Sequence, residues 1–132
     1  MDMKKALIAG LVAGVALFVY EFVIHALLLA GTYAEYNQVF RQDGNPVYFP
    51  LLALAQALAA GVIFAKTRSA WGAGFKGGAT FGFWIGLVFF FREFYNPLTI
   101  EGFPYYLAWC WGTALMLGWI IAGSVMSLMY KE

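Results

Sequence analysis

The chain has 132 residues, of which 63% are hydrophobic, 20% aromatic and only 11% charged, whereas a soluble domain carries about a quarter charged residues. So small a globule has no interior large enough to hide that apolar excess, which leaves helices crossing a bilayer, each needing about 20 apolar residues. A net charge of +1 with no basic stripe excludes a nucleic-acid footprint, and the single cysteine, Cys110, excludes an intramolecular disulfide and any multi-cysteine zinc or iron–sulfur site.

The first apolar run, 6–30, follows Lys4 and Lys5 and is interrupted only by Glu21 and His25. A basic start before an apolar stretch also describes a secretory signal peptide, but this run is longer than such a stretch and holds two ionisable groups, so it reads as a span. The segment 31–46 is more polar. It places Tyr33, Asn37 and Arg41 at i,i+4 steps and ends in the turn signal Asp43-Gly44-Asn45-Pro46, which predicts a short interfacial helix or a loop.

A second span is expected over 47–65, with Pro50 in its first turn, where a missing backbone donor costs little. Gln56 is its one mid-span polar group and is expected to bond between helices. After Lys66 and Arg68 a glycine-bearing connection leads to a third span over 72–91, closed by Arg92 and Glu93. Tyr95-Asn96-Pro97 and Glu101-Gly102-Phe103-Pro104 read as turns, and a last span covers 105–129.

The expected fold is therefore all-α: a single transmembrane domain over 1–132, an integral membrane bundle of four transmembrane helices. Lys4, Lys5, Lys66, Arg68, Lys76 and Lys131 fall on one side of it, against Arg41 and Arg92 on the other. Loops rich in lysine and arginine stay in the cytoplasm, so both termini are expected there.

Two features invite a functional reading. Gly78, Gly82 and Gly86 in the third span, and Gly10 and Gly14 in the first, recur every four residues, which puts each set on one helix face. Faces without side chains let helices approach closely, inside one bundle or against another subunit. The second feature is Glu21 with His25, one turn apart on one face of the first span. An ionisable group at the bilayer centre costs about 2.5–3.5 kcal/mol on insertion scales and normally finds a partner. Arg92 and Glu93 are expected at comparable depth, so a polar cluster of Glu21, His25, Arg92 and Glu93 is predicted in the outer half of the bundle.

That cluster reads either as a structural ion pair, Glu21 with Arg92 and His25 beside it, or as a ligand or proton-handling site in which His25 changes charge near neutral pH. Metal binding by Glu21, His25 and Glu93 is chemically allowed but is a pattern that chance produces easily. With one histidine, bis-histidine haem ligation within the chain is excluded. Aromatic residues of the last two spans, Trp84, Phe89, Trp111 and Trp119 among them, read as lipid-facing or core side chains rather than a pigment site. No phosphate-cradling loop, HExxH or GxSxG stands in the sequence, so no catalytic residue, metal or cofactor is predicted.

His25-Ala26-Leu27-Leu28 with Tyr33 and Arg41, and Lys76-Gly77-Gly78-Ala79-Thr80-Phe81-Gly82 at the start of the third span, resemble a group of small bacterial four-span membrane proteins. The resemblance implies a bacterial inner membrane and the four-helix topology, and no activity. The leading expectation is a non-catalytic accessory subunit, set in the lipid bilayer and packing through its glycine faces in a homo-oligomer or a larger membrane complex. The alternative is a small-molecule binding or transport protein using the polar cluster.

Overall fold

A computed structural model describes residues 1–131. Among them the secondary structure is entirely helical. α1, Met3–Phe22, is capped by the Asp2 side chain, which accepts from the Lys5 amide at 3.1 Å, as expected of an aspartate preceding a first helical turn. It runs on without interruption into a π-helical stretch, Val23–Leu28. A short α2, Ala30–Glu35, opens the connection to α3, Tyr48–Lys66. α4 is Gly74–Arg92, continued by a 3₁₀ turn, Glu93–Tyr95, and α5, Asn96–Thr99; α6 is Tyr105–Met129. Four helical stretches are long and apolar enough to cross a membrane: Met3–Leu28, Tyr48–Lys66, Gly74–Thr99 and Tyr105–Met129.

These helices pack in the order α3, α1, α6, α4, with α1 against both α3 and α6, and α4 against α6. Small residues make that packing. The buried stripe of α1 is Ala6, Ala9, Gly10, Ala13, Gly14 and Leu17, and that of α3 includes Ala53, Ala57, Ala60 and Gly61. A Cβ on Gly10 would stand 2.8 Å from the Ala57 carbonyl oxygen, and one on Gly61 would stand 2.8 Å from that of Ala6. Across the bundle, Gly78 meets Gly123, Gly82 meets the backbone of Trp119, and a Cβ on Gly86 would lie 2.7 Å from Met116 Cα. All five glycines singled out in the sequence thus lie against the chain's own helices.

The row is closed at one end by Phe64, which meets Phe81 at 5.1 Å and Tyr130 at 6.3 Å between ring centroids. There the Asp2 amide donates to Tyr130 Oη at 3.1 Å and Lys5 Nζ donates to the Lys131 carbonyl at 3.5 Å. Residues near the two ends of the chain therefore meet at the same end of the bundle as the 66–76 connection.

Two expectations need correction. Tyr95-Asn96-Pro97 is not a turn. Pro97 falls in the first turn of α5, where its missing N–H is among those without an intrahelical acceptor, so the helix carries on to Thr99. The turn comes later, at Gly102, whose φ of 82° suits a residue without a Cβ. Gln56 does not bond to a neighbouring helix: it is exposed, because it projects beside the alanine and glycine stripe that faces α1. The helix within 31–46 ends at Glu35, and Arg41 is exposed, its nearest acid being Asp43 at 3.9 Å.

Replacing Gly82 by alanine is expected to force α4 away from α6 and lower stability by about 1–3 kcal/mol, the cost of overpacking. Gly31→Ala, where nothing lies within 4 Å of the added carbon, is expected to be neutral or mildly stabilising. Unfolding midpoints in mild detergent compare the two.

Candidate functional site: the polar pocket at the π-helical end of α1

α1 and α3 touch most closely at Gly10 and Gly61. Toward the other end of α1 the residues grow bulky, and a pocket of about 390 Å³ opens between Phe18, Glu21, Phe22 and His25 on one side and Tyr33, Pro46 and Phe49 on the other. The π-helical stretch forms its rim: the Leu29 amide bonds to the Ile24 carbonyl at 2.9 Å, five residues back. Such a widened turn inserts an extra residue into the helix, so side chains beyond it point differently from those of a regular helix, and such turns concentrate at functional sites.

The segment after the π-turn folds back over α6. Tyr33, Val39 and Phe40 pack with Phe103, Leu107, Ala108 and Trp111 in a second apolar cluster. Phe40 lies 5.8 Å from the Trp111 ring and 5.9 Å from Phe103 between centroids. The 31–46 segment therefore packs onto this end of the bundle through the half-buried Tyr33, Val39 and Phe40, and that packing holds Tyr33.

The Tyr33 hydroxyl joins two parts of the fold. It lies 2.8 Å from Trp111 Nε1 and 2.5 Å from His25 Nδ1. An indole nitrogen only donates, so the phenol oxygen accepts from Trp111. Burial pushes the Tyr33 phenol up to about 12, which keeps its proton in place at neutral pH. The donor in the bond to His25 depends on the imidazole tautomer: with the ring hydrogen on Nε2, a neutral His25 accepts the phenol proton at Nδ1. The His25 and Tyr33 rings lie nearly coplanar, joined end to end through this bond with centroids 6.0 Å apart, and His25 lies edge-on to Trp111 at 6.0 Å between centroids. The pocket thus offers a carboxyl group from Glu21 and an oriented imidazole, on otherwise apolar walls.

Of the four residues expected to cluster, Glu21 and His25 line this one pocket. Arg92 is exposed, with its guanidinium carbon 4.3 Å from the Tyr95 ring centroid. Glu93 accepts from Asn96 Nδ2 at 2.7 Å. No ion pair joins Glu21 to Arg92 among the described residues. Nor do three His, Cys, Asp or Glu side chains converge there as a metal site requires, so Glu21, His25 and Glu93 are not assembled into one. Cys110 is an exposed free thiol in a shallow apolar groove of about 430 Å³ between α1 and α6.

Trp111 and the π-turn are not legible in the sequence as site features. The sequence marks Trp111 only as one more aromatic residue, and the Tyr33 contact it makes spans 78 positions. No family model matches the chain, and comparison with curated proteins and with solved structures found no match.

Tyr33→Phe leaves Trp111 Nε1 and His25 Nδ1 without their partner and is expected to cost about 1–3 kcal/mol, read from the unfolding midpoint. In ¹⁵N spectra of labelled histidine, the Nδ1 signal of His25 is expected to move. The raised phenol affinity has a defined sign: its contribution to stability is whole below pH 10 and falls away as the pH rises from 10 to about 12. The Tyr33→Phe variant, which has no phenol to titrate, is expected to lose that dependence.

Proposed function

We propose that the chain is a multi-pass integral membrane protein that binds a small molecule in the pocket of Glu21 and His25, without catalysing its conversion. The observation that carries this reading is the convergence of two polar side chains, one oriented by Tyr33 and Trp111, on a preformed space of about 390 Å³. Small-molecule sites have this character, an apolar cavity of roughly 300–1,000 Å³ with a few placed polar groups. Ionisable residues within membrane spans mark functional sites by default.

The membrane setting is supported by the four long apolar stretches and by the large aliphatic side chains the fold leaves outside, among them Leu11, Val15, Val19, Val88 and Leu117. The gathering of basic residues at the end where the termini meet supports cytoplasmic termini, and the resemblance noted above supports a bacterial inner membrane. The pocket then opens in the outer half.

A second reading, a subunit of a homo-oligomer or of a larger membrane complex, is favoured by one observation. Gln56 is exposed near the middle of α3, where a carboxamide facing hydrocarbon gains from a partner on another helix. Such association would use the outer face of α3, since the glycine faces are occupied within the chain.

Native mass spectrometry of the protein extracted from its own membranes separates the two. The expected result is a retained small molecule that disappears in Glu21→Gln and His25→Ala while the fold persists. A fixed assembly that carries no small molecule and dissociates in Gln56→Leu would replace the binding reading with the subunit reading.

A further inference from the structure

Resting on the pocket as the working site, its chemistry narrows the ligand. Glu21 is the one acidic side chain in its lining, and no lysine or arginine lines it. The arginines outside the basic end are engaged elsewhere: Arg41 is beside Asp43 and Arg92 lies over Tyr95. Among the described residues Glu21 forms no ion pair and is given no side-chain hydrogen bond by the fold. Once ionised, a carboxylate in this pocket finds no counter-charge in the chain itself, and only a cation from outside it would supply one.

The remaining walls point the same way. Phe18, Phe22 and Phe49 line the space, and the faces of aromatic rings carry negative potential that attracts cations. His25 does not fill the role of counter-charge: it forms no ion pair with Glu21, and its Nδ1 is engaged with the Tyr33 hydroxyl. An anion would meet both the carboxylate and the ring faces and be repelled. A neutral apolar molecule would desolvate Glu21 and give nothing in return. A positively charged nitrogen on an apolar body satisfies the carboxylate and the rings at once.

We infer that the pocket binds an organic ammonium cation, with its nitrogen beside Glu21 and its apolar body among Phe18, Phe22 and Phe49. The volume limits the ligand to a small one, of the order of a single ring or a short branched alkyl chain.

Radiolabelled benzyltrimethylammonium tests this against the full chain in lipid nanodiscs. Competitors are the unlabelled cation, its uncharged carbon isostere neopentylbenzene, and benzenesulfonate. The expected result is saturable binding displaced by the unlabelled cation and by neither other compound, weakened at least about tenfold in Glu21→Gln and largely kept in Glu21→Asp. Equal displacement by neopentylbenzene, or undiminished binding in Glu21→Gln at an unchanged unfolding midpoint, would overturn the cation assignment. If that binding is nevertheless lost in Phe49→Ala, the pocket survives as an apolar site. Absence of saturable binding by the cation also overturns the assignment. The pocket reading then stands or falls separately, on whether the native extract carries a small molecule lost in His25→Ala.

Discussion

The fold depends on close backbone contact between helices at stripes of glycine and other small residues. Gly78 and Gly82 lie against Gly123 and the Trp119 backbone, and Gly10 and Gly61 lie against the backbones of Ala57 and Ala6. In water such contacts would add little to what hydrophobic burial already provides. Four helical stretches are long and apolar enough to cross a membrane, and between helices in lipid, where the surroundings are as apolar as the side chains, close approach and dispersion supply much of the association. α4 is tied to α6, and α1 to α3, because these stripes of small residues match.

Close contact at one end sets the shape of the other. Where the α1 stripe gives way to Phe18 and Phe22, and α3 opens with Phe49, a pocket lies between them. The π-turn at Val23–Leu28 comes at that point and carries His25. The polypeptide then crosses to α6, where Phe40 and Tyr33 are held in the aromatic cluster of Phe103 and Trp111. One hydroxyl links this segment to the first span, so the orientation of the imidazole is decided by residues of three separate segments. An imidazole held in this way is fixed in orientation without any ligand, which is the preorganisation that binding at such a pocket would draw on.

Much of the architecture is legible in the chain because the signals are local. Apolar runs between turn residues place the four long helices to within a few positions, as at 105–129 and Tyr105–Met129. The four-residue period of Gly78, Gly82 and Gly86 marks a contact face whatever it meets, and the one-turn spacing of Glu21 and His25 brings them to one pocket. Pro97 shows the limit of local rules. The same residue that ends helices also begins them, and only the continuation of the backbone through Glu93–Tyr95 distinguishes the two.

By itself the sequence determined that the chain is helical, that four stretches suffice to cross a membrane, and which faces carry small or ionisable residues, since each follows from composition and period along one helix. Tertiary structure alone decided which helix each glycine meets, that Arg92 turns to Tyr95 and leaves Glu21 without an ion pair, that Gln56 faces outward, and that Tyr33 stands between Trp111 and His25. These are relations between helices. Periodicity fixes the direction of a side chain around its own axis, while the neighbour it finds depends on how the axes are arranged.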